Sequence, residues 1–585
     1  MPSAAGLRFL RPHLSKYVPD GRKAAYIRFF TATQCFVHHK SQINKIAQPI
    51  RAYGSKASRK TKEIDEDRGP IEARIKELEK GNALKYPRIQ KPKHSLTLVE
   101  YQSRYGSMIA GEKRPAEAVA VCGRVTSVRV AGKTLCFVDI DQEGHTLQVV
   151  CLSQELSAFA GLSSADFQRF YRLLRRGDII SVEGVPYSTK SGEVSISASE
   201  LPVILSPSLP QLPTKLEDPE TRVRNRHVDM LVNKKVSETI RLRSHIIQYI
   251  RDFLIKDSFL EVQTPIVADS ASGAIARPFI TVATEFSEKQ LTLRIAPEIW
   301  LKRLILGGMD RVFEIGPAFR NEGLDATHNA EFTTCEFYKS FSDLEDLISM
   351  TENMLSGLAK HVTDLRKWSY RNIPELDTEQ FNAPFKRLEF IPEIEKRLGE
   401  KLPNLAAEDA QEKLLTIFTK HKIAPPSSLT LPRLLDKLSS IYLEPDCTAP
   451  TFIMHHPACL APLAKSFKDP KSQQLVSARV ELFIQNREIA NMYEEENSPF
   501  EQRKKFLEQA KWRDEENTAL LDESYLEALE WGLPPTGGFG CGIDRLCMLF
   551  SGATRISEVL AFGSLKNVVN LGREVVVRER NVDVR

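Results

Sequence analysis

A polar stretch bounded by aromatic residues is the first sign of chemistry in this sequence. Residues 319–332 read FRNEGLDATHNAEF. Phenylalanines stand at both ends, and one arginine, two glutamates and a histidine lie between them. β-prone runs at 311–320 and 331–338 flank the polar segment, which predicts a hairpin with a charged tip. Alternation along the first strand places Arg320 and Glu322 on the same face.

These side chains suit a ligand that offers both a polyphosphate and a flat base. Arg320 can bind a phosphate or a carboxylate through two parallel hydrogen bonds. Glu322 can accept an exocyclic amine, His328 can reach a polyphosphate, and Phe332 can stack on a base. A charged surface hairpin with internal salt bridges explains the same residues equally well.

Two further segments carry residues suited to a nucleotide. ELFIQNRE places Glu481 and Glu488 on either side of an apparent turn, and a hairpin there brings two carboxylates together as oxygen ligands for Mg²⁺. Two surface glutamates are the commoner meaning of that pattern. GGFGCGIDRL (537–546) combines glycines, which let a ligand approach the backbone, with Arg545 ahead of an amphipathic helix. A glycine-rich loop alone is a weak signal.

Basic residues are concentrated at the amino terminus. The chain has 585 residues with 81 Lys or Arg and 76 Asp or Glu, and residues 1–62 hold 13 of the former against one acid, Asp20. A leader rich in Arg, Ser, Ala and aromatics, without a continuous apolar core, is typical of a mitochondrial transit peptide. Cleavage shortly after Arg51 would suit it. A disordered basic arm that binds nucleic acid is the alternative.

Composition indicates a soluble globular protein and argues against several other classes. Hydrophobic residues make up 42% and charged residues 27%, enough to bury a large core. No uncharged apolar run approaches the roughly 18 residues that cross a bilayer. The nine cysteines form no CxxC pair, so neither a zinc site nor a disulfide framework is indicated.

The first half of the chain predicts a small β-barrel. Residues 70–82 show helical spacing of apolar side chains and end at a glycine. From Val119 onward five β-rich runs follow, with a helical segment near 163–175 between the third and the fourth. This order matches an OB-fold, which commonly binds oligonucleotides, although a barrel without a ligand has the same pattern.

A second domain is expected after a proline-rich linker at 206–219. Apolar residues at helical spacing between Val236 and Leu254 predict a long amphipathic helix. Beyond it, Pro265 interrupts a β-prone run, which indicates an edge strand or an interface. A helix-rich segment at about 385–445 looks inserted into an otherwise strand-dominated domain.

Together these segments resemble the three signature motifs of class II aminoacyl-tRNA synthetases. FLEVQTP with its preceding helix resembles motif one, FRNEG…HNAEF motif two and GFGCGIDR motif three. More narrowly, the chain is similar to lysyl-tRNA synthetases from about residue 70 to 565. That likeness is carried by ARPFIT (276–281), LRIAPEIWLKRLILGG (293–308), PLAK (462–465), REIANMYEEEN (487–497) and EALEWGLPPTGG (527–538).

The resemblance implies an α+β protein that forms a homodimer, with Pro265 at the dimer interface. An all-β OB-fold barrel would bind the anticodon, and an antiparallel sheet of six or seven strands with flanking helices would form the catalytic domain. The expected parts are a basic leader (1–62), an N-terminal helical extension (63–110), the OB-fold (111–207), a linker (208–225), the catalytic domain (226–566) and a C-terminal extension (567–585).

The resemblance also implies an ATP site. Arg320 would hold the α-phosphate and the lysine carboxylate, while Arg545 would stack on adenine opposite Phe332 and reach the γ-phosphate. These two arginines are the expected catalytic residues. Glu481 and Glu488 would carry Mg²⁺. The whole expected ATP-binding set is Arg320, Glu322, His328, Asn329, Phe332, Glu481, Gly540, Gly542 and Arg545.

An amino-acid pocket is implied as well. Glu298 and Glu495, with the Tyr338 hydroxyl, match positions that take the ε-ammonium of lysine. Paired acids deep in a pocket suit a compact ammonium, because leaving them unpaired would be costly. Without the other motifs, Glu298 reads as a helix cap and Glu495 as part of a solvated acidic face. Glu336 would take the α-ammonium and Asn491 the carboxylate. The whole expected lysine-binding set is Gly273, Glu298, Arg320, Glu336, Tyr338, Asn491, Tyr493 and Glu495.

In the barrel, four residues fall where the resembling family recognises a uridine-rich anticodon. They are Arg129, Phe137, Gln148 and Glu193. Stacking by Phe137 and edge contacts by Gln148 are how single-stranded bases are read. Each of the four is explained equally simply as an exposed barrel residue.

The expected reaction is activation of L-lysine by ATP, followed by transfer to the 3′ end of tRNA(Lys), in the mitochondrial matrix and with no membrane partner. An aspartyl- or asparaginyl-tRNA synthetase shares the barrel and motifs, but needs a cationic or amide-reading pocket. A short relative that lysylates a protein lacks the OB-fold. A noncatalytic RNA-binding paralogue would have no need of the nucleotide-binding arginines and glutamates.

Several positions depart from the family pattern. Ser272 stands where a Gly-Gly-Ala run begins, Ala330 replaces a common proline, and Ala461 replaces a serine. ITV at 280–282 lacks the usual histidines. These differences bear on loop geometry and leave the expected reaction unchanged.

Overall fold

A computed structural model of the chain describes residues 69–89, 92–161, 163–269, 276–511 and 522–569. The expected leader, Ser272, Gly273 and nearly all of the C-terminal extension lie outside the described residues. None of the described helices is both long and apolar enough to cross a membrane.

The described α-helices are α1 (Gly69–Lys80), α2 (Leu98–Tyr105), α3 (Ser153–Ala160), α4 (Ser164–Leu173), α5 (Pro219–Arg224), α6 (Arg226–Val232), α7 (Lys234–Lys256), α8 (Glu298–Leu306), α9 (Leu344–Trp368), α10 (Phe390–Leu398), α11 (Ala410–Lys420), α12 (Leu431–Tyr442), α13 (Pro499–Lys511), α14 (Glu523–Leu529), α15 (Ile543–Ser551), α16 (Ile556–Val559) and α17 (Leu565–Val569). Short 3₁₀ helices cover Thr284–Phe286, Glu379–Phe381, Glu444–Asp446 and Ala458–Leu460.

The described strands are β1 (Val119–Ala131), β2 (Leu135–Gln142), β3 (His145–Leu152), β4 (Ile179–Ser188), β5 (Val194–Ala198), β6 (Val203–Ser206), β7 (Leu260–Glu261), β8 (Val267–Ala268), β9 (Ile280–Thr281), β10 (Leu291–Leu293), β11 (Arg311–Phe319), β12 (Glu331–Ser340), β13 (Lys386–Glu389), β14 (Thr451–Met454), β15 (Ser466–Lys468), β16 (Leu475–Ser477), β17 (Arg479–Ile484), β18 (Arg487–Glu494) and β19 (Thr536–Gly542).

The first five strands form a closed barrel. Their order is β1-β2-β3-β5-β4, and β4 pairs back onto β1, while β6 adds to β4. Burial alternates along β4 because residues such as Ile180, Val182 and Gly184 point inward between half-buried neighbours. α3 and α4 lie between the third and fourth strands. The OB-fold predicted from strand order and helix position is confirmed.

α1 is attached to the barrel through a buried charge. Arg74, which has no exposed surface, donates to the Leu173 carbonyl at 2.7 Å and pairs with the equally buried Asp178 at 3.1 Å. The helix predicted at 70–82 ends at Lys80, and Gly81 lies against the Leu173 side chain, leaving no room there for a Cβ atom.

The second part of the chain is built on an eight-stranded sheet with the order β13-β14-β17-β18-β19-β12-β11-β7. The expected antiparallel sheet is confirmed with six strands, and two short edge strands bring the total to eight. The six central strands are antiparallel, whereas β7 and β13 pair in parallel at the two edges. Both edge strands are short and lie next to helices in the chain, β7 after α7 and β13 immediately before α10, so they add to the sheet without a hairpin turn. Buried faces of α7, α9 and α15 pack on the sheet in one hydrophobic core.

The expected helical insertion at about 385–445 has its own core, formed by α10, α11 and α12. Its first residues do not belong to a helix, however. They form β13, which pairs with β14 on the main sheet. The insertion is thus tied to the sheet edge that lies beside Glu481, because β14 also pairs with β17.

The hairpin of the first polar stretch is confirmed, with β11 and β12 in register from Arg311↔Lys339 to Phe319↔Glu331. The expectation that Arg320 and Glu322 share a strand face is wrong, because β11 ends at Phe319. Beyond the last paired residues, one more backbone hydrogen bond, from the Arg320 amide to the Ala330 carbonyl at 2.9 Å, closes the loop. The loop leaves both side chains free to point into a cavity.

Candidate active site

A cavity of about 570 Å³ opens on one face of the eight-stranded sheet. Most residues expected at the ATP and amino-acid sites line it, although they come from distant parts of the chain. They are Glu298, Arg320, Glu322, His328, Asn329, Phe332, Glu336, Tyr338, Glu481, Glu488, Asn491, Tyr493, Gly540, Gly542 and Arg545. The sheet brings these residues together because β12, β19, β18 and β17 are consecutive neighbours.

One part of the cavity holds Arg545 and the half-exposed His328. Arg545, at the start of α15, donates to the Glu488 carbonyl oxygen at 2.9 Å and lies 3.3 Å from its carboxylate. Its other terminal nitrogen lies 2.8 Å from Nε2 of His328, whose Nδ1 meets the Asp325 carboxylate at 2.8 Å. This chain of contacts joins the tip of the motif-two hairpin to motif three.

Arg320 lies across the Phe332 ring, with its guanidinium carbon 5.0 Å from the ring centroid. A guanidinium held on an aromatic face is oriented without losing its donors. Its Nε is buried and has no hydrogen-bond partner among the described residues. Glu322 is exposed nearby. Arg320 thus offers donors to an anionic ligand in the cavity.

The hairpin of β17 and β18 carries the two expected metal-binding acids. Its turn is made by Gln485 and Asn486, both with positive φ (52° and 60°), as in the tight turns that match strand twist. Glu481 is paired with the buried Arg479, and its Oε2 lies 3.0 Å from Nε2 of His456.

These partners decide the charge of Glu481. Burial opposes its ionisation, but Arg479 and His456 outweigh that cost and hold the pKa of Glu481 at about 2. Neither partner was anticipated from the sequence. Arg479 was detectable, since it stands two residues before Glu481 on the same strand face, whereas His456 is 25 residues away and has no such signal.

No group of three or more His, Cys, Asp or Glu side chains is arranged around a common point for a metal ion in the part of the chain that is described. Two carboxylates, Glu481 and Glu488, do line the cavity. Mg²⁺ commonly binds one or two carboxylates and completes its shell with substrate phosphates and water. The acids present therefore fit an ion that enters with a polyphosphate.

At the amino-acid pocket, two acids are almost wholly removed from solvent. Glu298 at the start of α8 is 5% exposed and Glu495, just after β18, is 0% exposed. Lys302 lies between them, also at 0%, with Nζ 2.6 Å from Oε1 of Glu298 and in an ion pair with Oε2 of Glu495. Lys302 was missed in the sequence, although its i,i+4 spacing from Glu298 on one helix was a usable signal.

Burial strongly affects ionisation in this pocket. It raises the pKa of Glu495, and Lys302 opposes that rise. For Lys302 itself, burial disfavours the charge, but Glu298 and Glu495 outweigh it and keep its pKa well above the ordinary range. Lys302 therefore carries its charge in the folded protein. Glu495 Oε1 is buried without a hydrogen-bond partner among the described residues.

Glu336, on β12, is the third buried acid of the pocket. Burial, reinforced by the nearby charge of Glu298, raises its pKa to about 8, with Arg320 and Tyr338 acting in the opposite direction. The Tyr338 hydroxyl donates to Glu336 at 3.3 Å. In this structure Tyr338 therefore orients Glu336, whereas the sequence interpretation had placed its hydroxyl at the ε-ammonium site.

Glycines of β19 make room for the pocket. A Cβ atom at Gly538 would lie 1.9 Å from Oε1 of Glu495, and one at Gly540 would lie 3.0 Å from Oδ1 of Asn491. Both positions lie in the centre of the sheet, where the backbone cannot move aside. The absence of side chains at these glycines thus leaves space for the side chains of residues on the neighbouring strand.

A buried network fixes motif three against motif two. The Asp544 carboxylate pairs with Arg243 of α7 and accepts the Thr333 amide at 2.7 Å, while Arg243 donates to the Thr333 hydroxyl at 2.9 Å. Asp544 immediately precedes Arg545. Neither Arg243 nor Asp544 was identified from the sequence, because their partners are 90 to 301 residues apart.

The four expected anticodon residues lie on adjacent strands of the barrel. Arg129 is directly opposite Phe137, with its guanidinium 5.9 Å from the ring. Gln148 donates to Glu193 at 3.1 Å. Asp139 joins the two pairs, since it contacts Arg129 at 3.2 Å and stands opposite Gln148. Alternation along β2 could have identified Asp139, two residues from Phe137.

Three of the family departures lie in the described residues, and the stretch 280–282 includes the exposed Ile280 and Val282. Ala330 is buried and still accepts the amide of Arg320, so the loop closes without a proline. Ala461 is buried in the wall of the cavity. Nothing in the structure explains why alanine rather than serine stands at position 461.

Comparison with known proteins assigns both parts of the chain. Residues 218–566 match the family described as tRNA synthetases class II (D, K and N), and residues 119–204 match the OB-fold nucleic acid binding domain. A lysine–tRNA ligase of Cladosporium cladosporioides is 38% identical over 82% of this chain and 82% of its own length. A mitochondrial lysine–tRNA ligase of Schizosaccharomyces pombe is 39% identical over 85% and 93%. A probable cytoplasmic lysine–tRNA ligase of Encephalitozoon cuniculi is 38% identical over 84% and 95%.

Proposed function

Because this chain belongs to the class II tRNA synthetases grouped as D, K and N, and among them to the lysine–tRNA ligases, we propose that it activates L-lysine with ATP and transfers it to tRNA(Lys). The observation that carries this proposal is that Glu298 lines the same cavity as Arg320 and Arg545, with the buried Glu495 joined to Glu298 through Lys302. A pocket ending in buried carboxylates selects a cationic side chain over an acidic one or an amide.

The first step is displacement at phosphorus. The lysine carboxylate attacks the α-phosphorus of ATP, the bond to the bridging oxygen breaks, and pyrophosphate leaves. Arg320 neutralises charge that develops on the α-phosphate, and Arg545 with His328 binds the outer phosphates. Glu481 and Glu488 would hold Mg²⁺, which would supply further positive charge beside the phosphates.

The second step is acyl transfer. A ribose hydroxyl at the tRNA 3′ end attacks the carbonyl carbon of the adenylate, and AMP leaves. None of the cavity's side chains needs to act as a nucleophile, so the protein contributes positioning and charge. Glu336 orients the α-ammonium, Asn491 the carboxylate, and Phe332 stacks on adenine.

Amino-acid-dependent exchange between ATP and pyrophosphate tests the proposal directly. We expect exchange that requires lysine and is not supported by aspartate or asparagine. Transfer of labelled lysine to tRNA then tests the second step. Exchange with aspartate in preference to lysine would refute the assignment, and absence of any exchange would favour a noncatalytic RNA-binding protein.

A charge-neutral variant tests the pocket. Glu495→Gln keeps the shape but removes the charge, so KM for lysine should rise on the order of 100-fold while KM for ATP stays near that of the wild type. Steady-state exchange kinetics measure both constants. An unchanged KM for lysine would remove Glu495 from the pocket.

A homodimer is the quaternary state we favour. Several large apolar side chains in the segments around Pro265 are exposed in the monomer. Monomeric proteins rarely expose large apolar patches. The exposed side chains belong to β7, β8, β9 and adjoining turns: Leu260, Ile266, Val267, Ile280 and Val282. A second copy of the chain would bury them.

Mitochondrial import is proposed from the leader. Residues 1–62 are basic and nearly free of acids, and one of the similar proteins is a mitochondrial lysine–tRNA ligase, although another is a cytoplasmic one. A fluorescent fusion without residues 1–62 should remain in the cytosol, whereas the full chain should enter mitochondria. Import of the truncated fusion would refute this assignment.

A further inference from the structure

The amino-acid pocket contains an ammonium group of its own. Lys302 projects from α8 with its whole side chain buried, and its Nζ contacts one oxygen of Glu298 and one of Glu495. The rings of Tyr338 and Tyr525 lie 5.8 Å and 6.0 Å from the same nitrogen. Lys302 does not reach the cavity surface.

Lys302 uses only half of the available oxygens. It contacts Oε1 of Glu298 and Oε2 of Glu495, which leaves the second oxygen of each acid for another donor. Oε1 of Glu495 is buried and has no hydrogen-bond partner among the described residues. A buried acceptor without a partner is costly unless a ligand satisfies it.

One resident cation faces two buried carboxyl groups. Lys302 Nζ contacts one oxygen of Glu298 and one of Glu495, so it can compensate only one of the two as a carboxylate. A substrate ammonium supplies the second positive charge and allows both acids to be ionised. Without Lys302 a single ammonium would leave one buried carboxylate uncompensated, which is strongly unfavourable.

We propose that Lys302 is a positioning residue for substrate selection: a resident counter-ion that clamps Glu298 and Glu495 and limits their pocket to a single ammonium group. This inference rests on the proposed function, since it concerns the pocket for the lysine side chain. Lys302 acts through the two acids and takes no part in the chemical steps.

Replacement by methionine tests the charge while keeping an apolar stem. Lys302→Met should raise KM for lysine on the order of 100-fold and leave KM for ATP within about twofold of the wild type. Lys505→Met is the matched control. Lys505 forms a similar buried pair with Glu496 at 2.7 Å but does not contact Glu298 or Glu495. Its KM for lysine should stay near the wild-type value.

Chemical rescue separates charge from packing. Lys302→Ala lacks a propylammonium group, so added propylamine should lower its KM for lysine in the exchange assay, while 1-propanol, of similar shape but uncharged, should not. In the wild type, propylamine should compete with lysine instead. Each assay is run below the melting temperature of the variant, measured by circular dichroism.

The outcomes are distinguishable. A wild-type chain without lysine-dependent exchange would refute the proposed function itself. If the wild type exchanges with lysine but Lys302→Met leaves KM for lysine within about twofold, the counter-ion role is wrong. Equal rescue of Lys302→Ala by propanol and propylamine would also overturn the counter-ion role, and so would a parallel rise in KM for ATP in Lys302→Met. Either result would mean that Lys302 contributes only packing.

Discussion

At the scale of single residues, the main feature of the site is a set of three buried carboxyl groups. Glu298, Glu336 and Glu495 are all nearly inaccessible to water, yet their partners differ. Lys302 compensates the first and the last, whereas Glu336 accepts only the Tyr338 hydroxyl. Burial nevertheless raises the pKa of both Glu336 and Glu495, because the charge of Lys302 only partly offsets the loss of hydration at Glu495.

Glu336 should make stability depend on pH. Its pKa rises from the usual 4.5 to about 8 on folding, so the folded state holds a proton that the unfolded state has lost between these values. The stability it contributes is present below pH 4.5 and is lost as pH rises through 8. Between pH 6 and 9 the melting temperature of the wild type should fall more steeply than that of Glu336→Gln, by about 2 °C. Parallel melting curves from calorimetry would contradict this.

At the scale of elements, the central strands divide the work. β12 supplies Glu336 and Tyr338, the β17–β18 hairpin supplies Glu481 and Glu488, and β19 supplies mainly space. Side chains on one face of neighbouring strands lie close enough to share a ligand. A strand of glycines between two functional strands widens the cavity above the sheet.

A substitution at Gly538 tests whether β19 contributes mainly space. Gly538→Ala would place a methyl group 1.9 Å from Oε1 of Glu495, so we expect lysine-dependent kcat/KM to fall by at least about 100-fold. ATP binding, followed by equilibrium dialysis, should change little. Gly307→Ala is the control, because its added carbon would meet no atom closer than 3.3 Å. Equal losses in both variants would disprove a local clash.

At the scale of the whole molecule, the proposed function divides activation and tRNA recognition between two domains. The catalytic sheet holds the ATP and lysine residues, while Arg129, Phe137, Gln148 and Glu193 lie together on the barrel. A defect on the barrel should therefore affect only the step that uses tRNA.

Phe137→Ala should raise KM for tRNA about tenfold, because one stacked base is lost, and should leave lysine-dependent pyrophosphate exchange unchanged. Val203→Ala, on β6 of the same barrel and 49% exposed, provides a control that should affect neither assay. Aminoacylation and exchange measured on the same preparations give both values. A fall in exchange would show that the barrel also supports activation.

The exposed apolar residues beside Pro265 lead to a prediction about assembly. Val267→Arg should shift the chain to a monomer in sedimentation equilibrium, since a buried unpaired charge opposes association. Trp531→Glu changes an even more exposed apolar residue outside that region and should leave the oligomeric state unchanged. A wild-type chain that sediments as a monomer would refute the dimer.

The sequence by itself determined the fold of both described domains and most residues of the site. Alternating β-runs around a helical segment were enough for the barrel, and the motif residues from Glu298 to Arg545 do line one cavity. Such features are recorded locally, in periodicity and in short motifs. The β-prone run before Pro265 does form an edge strand, β7, as predicted. The edge strand β13 and the end of β11 were not predictable, because short strands depend on the neighbour they pair with.

Only the tertiary structure decided the partners of the charged residues. It set Lys302 between Glu298 and Glu495, His456 beside Glu481, and Arg243 on Asp544. Apart from the i,i+4 pair of Lys302 and Glu298, these contacts join segments that are distant along the chain, so no local pattern encodes them. Because the charge of a buried group depends on what faces it in three dimensions, residue types and spacing could name the acids of this pocket but could not give their ionisation.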